Sequence, residues 1–137
     1  MKKSMKSKVV LFVSLLSLTG CAFTGTPFDQ GEYDSFATIA TTAQMSKSVC
    51  DEKPINITDF DELKKSTAYA AIYTKYLLNN QKTNEIAISV DKMVDELRQR
   101  TTDHTEVTPT YCKIKLDIIS QTAEIGMFAS SSKRVQQ

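Results

Sequence analysis

The stretch Asn84-Glu85-Ile86-Ala87-Ile88-Ser89-Val90-Asp91-Lys92-Met93-Val94-Asp95-Glu96-Leu97-Arg98 decides the fold class. Ile86, Val90, Met93, Val94 and Leu97 recur every three or four positions, and Glu85, Asp91, Lys92, Glu96 and Arg98 fall mostly between them. That is the period of an amphipathic helix with one buried side. Upstream, Leu63, Ala70, Tyr73 and Leu77 form a second such row, with Asp59 as N-cap, Glu62 completing a capping box, and Asn79 and Asn80 as enders. Further upstream, Phe36, Ile39, Ala40, Ala43 and Cys50 form a third, from about Tyr33. Downstream of a polar run at 101–108, Thr108 caps a fourth helix that opens on Pro109, where a missing N–H does no harm. Four helices with short links and no strand predict an all-α, four-helix up-down bundle.

The chain begins differently. Lys2, Lys3, Lys6 and Lys8 precede an apolar run, 9–18, that is about half the length needed to span a bilayer. The run ends in Leu18-Thr19-Gly20-Cys21, which resembles the signal of bacterial lipoproteins. That resemblance implies removal of residues 1–20, with acyl chains such as palmitate placed on Cys21. Each buried CH₂ contributes about 0.8 kcal/mol, so several chains hold a small domain at a membrane. Ala22, in place of an Asp after the cysteine, points to the outer membrane and its periplasmic face. Residues 21–32, with Gly25, Pro27 and Gly31 and no period, read as the lipidated cysteine and a flexible tether. Residues 33–128 read as the helical domain and 129–137 as a disordered tail.

Removing 20 of the 137 residues leaves 117, enough for one domain with one modest core. Four lysines leave with the signal. The 13 remaining basic residues against 16 acidic ones give a net charge of −3, which argues against nucleic acid as a partner. Cys50 and Cys112 remain, in a compartment where disulfides persist, and pairing is the expected outcome; two independent buried thiols are the alternative. In an up-down bundle helix one ends, and helix four begins, at the same pole. The two cysteines then become neighbours without forced geometry.

Catalytic chemistry finds little support. His104 is the only histidine and lies in a polar loop without a partner at ligand spacing, which reads as solvated. There is no Gly-rich phosphate loop and no serine elbow. Acid pairs such as Asp61-Glu62 fit a helix N-terminus. The expectation is a non-enzyme with neither cofactor nor metal. Tyr69, Tyr73 and Tyr76 form either a recognition face or, at their helical spacing, core.

Helix four carries two apolar rows. One is Cys112, Leu116, Ile119, Ala123 and Met127; the other is Tyr111, Ile114, Ile118, Ile125 and Phe128. So wide an arc fits either a central helix covered on both sides or a helix that offers one side to a partner.

One further pattern bears on function. Ser46-Lys47-Ser48-Val49-Cys50 ends a helix, and Thr108-Pro109-Thr110-Tyr111-Cys112 opens the last one, with Leu116 a turn later. This layout resembles the type II secretion pilotins of the PulS/OutS kind over about residues 33–120. The resemblance implies a small outer-membrane lipoprotein, monomeric and delivered by the lipoprotein-sorting machinery. It would capture the C-terminal segment of a secretin subunit and promote secretin targeting and assembly. A disordered tail that folds into an amphipathic helix needs an apolar groove. Ile114, Ile118, Ile125 and Phe128 are the candidate partner-binding residues, with Ile39 and Ala43 of helix one opposite. The alternative is a small lipoprotein that blocks a folded target, an exclusion factor or enzyme inhibitor presenting a rigid surface or the loop at 101–108.

Overall fold

A computed structural model describes residues 27–102 and 107–136. The signal segment, Cys21 and His104 lie outside the described residues. Within them the chain is all-helical: α1 (Gln30–Met45), α2 (Asp61–Lys75), α3 (Gln81–Thr102) and α4 (Pro109–Ser131), with 3-10 turns at Ser46–Asp51, Ile57–Phe60 and Ser132–Gln136. None of the described helices is long and apolar enough to cross a membrane.

Helix α1 starts three residues earlier than its apolar period indicates. Asp29 is extended, and its carboxylate accepts the Glu32 N–H at 2.7 Å, an N-cap that satisfies one of the first-turn donors. The last residues of the expected tether are therefore the first turn of the helix. Phe36, Ile39, Ala40 and Ala43 face the core, and Cys50 sits on the tight turn that follows.

Before α2 an extra turn intervenes. The Asn56 N–H donates to Asp59 at 2.7 Å, so Asp59 closes the cap of Ile57–Phe60 instead of capping α2. This shift places Phe60, fully buried, as a plug beneath the helix. Leu63, Thr67, Ala70 and Thr74 are its inner row. Tyr69 and Tyr76 are exposed, not core, because the small side chains of Ala70 and Thr74 take the inward positions. Helix α3 buries Thr83, Ala87, Val90, Val94 and Leu97, a seven-residue repeat of small and branched side chains. Helix α4 opens as expected: the Thr108 hydroxyl accepts the Tyr111 N–H at 3.2 Å and Pro109 occupies the first turn.

The most extensive packing is α1 on α4, followed by α2 on α3, then α3 on α4 and α1 on α2. Cys50 and Cys112 are bonded, with Cα atoms 5.7 Å apart, so the end of α1 is joined to the start of α4. Where a tail from 129 was expected, α4 continues to Ser131 and the chain adds a 3-10 turn over Ser132–Gln136. Ser130 is buried one heptad beyond Ala123, and its polar side chain interrupts the apolar signal while keeping the helical position.

Candidate functional site

Helix α4 has two faces with opposite fates. Its inner face, Cys112, Leu116, Ile119, Ala123 and Gly126, enters the core. Gly126 permits the closest approach: a Cβ there would lie 2.5 Å from the Phe36 ring. Ser120 adds a hydrogen bond to the Ala40 carbonyl at 3.2 Å. The outer row stays in solvent, with Ile114 53%, Ile118 41%, Ile125 59% and Phe128 75% exposed. At about 100° per residue these four fall within an arc of roughly 80° that points away from the core. The reading of α4 as a central helix covered on both sides is thus overturned: α1 and α3 contact it, and both lie toward its inner face.

The expected groove takes another form. Ile39 and Ala43 are fully buried against the core and form no wall opposite the α4 row. What α4 offers is a ridge with Gln121, exposed, at its middle. Ion pairs flank it. Lys113 reaches Asp51 at 2.8 Å, Lys115 reaches Glu96 at 3.4 Å, and Asp117 pairs with Lys47, whose hydrogen bond holds the Asp117 carboxyl below its ordinary value. Tyr111, at the start of the row, is half-buried under the Arg100 guanidinium, 4.8 Å from the ring centroid.

Between α1 and α2 lies a cleft of about 460 Å³, lined by Gly31, Asp34, Ser35, Thr38, Lys65 and Tyr69. It exists because small side chains leave volume unfilled between the two helices. Tyr69 stacks on Tyr73 at 5.6 Å, and the Tyr73 hydroxyl donates to Asp29 at 2.9 Å. That bond, with burial, pushes the Tyr73 phenol up. Gly31 lets the Tyr73 hydroxyl come close, since a Cβ would lie 2.6 Å from the Tyr73 oxygen and the phenol would have to shift.

One pole is held by a buried carboxylate that the sequence pattern does not reveal. Glu32 is fully buried and accepts from Ser130 Oγ at 2.8 Å, Lys133 Nζ at 2.6 Å and Asn80 Nδ2. Asn80 Oδ1 in turn accepts from Thr83 and Lys133. Burial alone would push the Glu32 carboxyl up. The Lys133 ammonium and the bonds from Thr83, Asn80 and Ser130 outweigh it and hold the group below its ordinary value. The node joins the first turn of α1, the α2–α3 turn and the end of α4, and so fixes where the α4 ridge ends.

Comparison with protein-family models, curated proteins and solved structures finds no match. The surface chemistry therefore carries the functional argument. Among the described residues, no group of three His, Cys, Asp or Glu side chains is placed to hold a metal ion. The ridge and the cleft are suited to binding: one offers apolar area at helical spacing, the other a tyrosine between opposite charges.

Proposed function

We propose that the chain is an outer-membrane lipoprotein that acts as a secretin pilotin. It is delivered by the lipoprotein-sorting machinery, held through acyl chains on Cys21 at the periplasmic face, and works as a monomer without cofactor. It takes the C-terminal segment of a secretin subunit as an amphipathic helix on the α4 ridge and promotes the targeting and assembly of the secretin for type II secretion. The observation that carries this reading is the exposed row Ile114, Ile118, Ile125 and Phe128 on a helix otherwise pinned by a disulfide. The helices are taken as an up-down bundle, in accord with the Glu32 node at one pole and the disulfide at the other.

The magnitudes are adequate. Covering four half- to three-quarters-exposed apolar side chains contributes about 1 to 1.5 kcal/mol each, and the peptide's facing side chains contribute a similar sum. Subtracting roughly 2 to 5 kcal/mol for ordering the peptide and at least about 4 kcal/mol for lost translational and rotational freedom leaves at most about 6 kcal/mol, a weak and reversible capture with a Kd no tighter than tens of micromolar.

The test is a titration of the delipidated Cys21→Ser domain with a secretin C-terminal peptide, read by circular dichroism. Saturable binding with a gain in helicity supports the proposal. Ile118→Asp with Ile125→Asp should abolish it without changing the melting temperature. Unaltered binding by that variant, with loss in Tyr69→Ala, would move the site to the α1–α2 cleft. Absence of any secretin, with recovery of a folded periplasmic or surface protein from envelope extracts, would favour an exclusion factor or inhibitor.

A further inference from the structure

The Glu32 node brings the start of α1, the α2–α3 turn and the C-terminal turn to one pole of the fold. This pole is where the segment from Cys21 enters. Two large apolar side chains of the α2–α3 turn stand out from it, Tyr76 at 76% and Leu78 at 82% exposure, the latter the most exposed among the described large apolar residues. Exposed Lys75 lies over the Tyr76 ring at 5.8 Å. Exposed Lys82 opens α3, and exposed Arg134 stacks on Phe28 at 3.8 Å. Of the nearby acids, Asp29 caps α1 and Glu32 is buried on Lys133, while Glu85 and Asp34 are exposed and accept from Gln81 at 3.0 Å and Gln30 at 2.7 Å. Outward, the pole presents two apolar side chains together with the cations Lys75, Lys82 and Arg134.

We infer that this pole rests on an anionic bilayer surface, with Leu78 in the acyl boundary, Tyr76 at headgroup depth and Lys75, Lys82 and Arg134 against lipid phosphates. The inference rests on the reading of Cys21 as lipidated. Covalent geometry then supplies the reach, because the eight residue steps from Cys21 to Asp29 span at most about 28 Å. The pole is held within that distance of the membrane, so docking becomes an intramolecular event at high effective concentration. Tyr with an apolar neighbour and flanking cations is the side-chain set that settles at a lipid–water interface. Docking there points the long axis of α4 away from the membrane and leaves the start of its ridge, at Ile114, toward the periplasm.

The chain contains no tryptophan, which makes the test direct. Leu78→Trp and, as reference, Met45→Trp are produced as full-length chains with their signal and purified in detergent. They are then reconstituted into phosphatidylethanolamine vesicles containing phosphatidylglycerol, with or without brominated acyl chains. Met45 is 73% exposed at the far end of α1, about 22 Å from the docking pole. The expected result is a blue-shifted Leu78→Trp emission quenched at least about twofold more than Met45→Trp. Adding Lys75→Gln and Lys82→Gln should lower the docked-to-undocked ratio by about fivefold for each charge removed. Equal quenching of the two indoles in a chain that floats with the vesicles overturns the docked pole and leaves the anchor standing. A chain without acyl mass on Cys21 that fails to float overturns both.

Discussion

Truncating Glu32 to alanine removes the acceptor shared by Asn80, Ser130 and Lys133, three donors from two parts of the chain, the α2–α3 turn and the C-terminal end. Removing one partner of a buried pair costs about 3 to 5 kcal/mol when the other stays buried. Lys133 keeps slight exposure and sits in the final turn, so it can turn out to water, and the lower figure of about 3 kcal/mol applies. For a domain near 100 residues that lowers the melting temperature by about 12 to 24 °C. Lys133→Ala changes the pH dependence. In the native protein the Glu32 carboxyl is held below the ordinary 4.5, so its stabilisation is present above that value and is lost as pH falls through the folded value. Removing Lys133 takes away the largest lowering contribution and leaves burial in place, so the carboxyl rises from its native position. The stability lost on acidification is then smaller in that variant than in the native protein. Urea denaturation of the native protein, both single variants and the double variant at several pH values measures this. A Glu32→Ala loss under about 1 kcal/mol, or parallel pH slopes for native and Lys133→Ala proteins, would refute the node as the clamp of this pole.

Gly126→Ala sets helix propensity against space: alanine contributes about 1 kcal/mol and overpacking on Phe36 costs about 1 to 3, so a net loss near 1 kcal/mol is expected in chemical denaturation. Cys50→Ser should lower stability by about 4 kcal/mol, the loop-closure value for 62 positions, and a reductant should do the same to the native protein while leaving the variant unchanged. Lys64 bridges Asp91 at 2.9 Å and Asp95 at 2.7 Å. Burial lowers its ammonium value, but these carboxylates outweigh that and raise it above the ordinary 10.5. Its stabilisation is present below 10.5 and lost as pH rises beyond. Lys64→Met should therefore remove roughly 1 kcal/mol at pH 7 and bring native and variant curves together at strongly alkaline pH.

The helices and the cysteine pair were legible because both leave periodic or countable marks. Val90, Val94 and Leu97 repeat at helical spacing, and an up-down reading places Cys50 beside Cys112. The Glu32 node was not legible, since a buried carboxylate writes no apolar period and falls in a stretch that looks like a tether. The signal that could have found it is the spacing of Ser130 from Ala123, one heptad on, which keeps the last turn of α4 in register with the core. The width of the α4 arc was visible, but whether its outer row is covered depends on how the other three helices distribute around it. That is a property of the assembled volume, not of α4. The α1–α2 cleft is likewise made of absent side-chain volume at Gly31, Ser35 and Thr38. The Asp59 cap was assigned to the wrong turn because Ile57–Phe60 buries Phe60 with only four residues, too few to show a period.

Helices α1 and α4 form the most extensive contact among the described residues. α2 can close on α3, and α1 on α2, before the last helix is present, but α1 has its principal partner only when α4 arrives, some eighty residues later at the Ser120–Ala40 bond. Contacts of such long sequence separation slow folding and keep a growing chain open. On the proposed reading of the chain as an exported lipoprotein, late closure is an advantage for threading a translocation pore, and truncations within α4 should delay compaction more than their small size suggests.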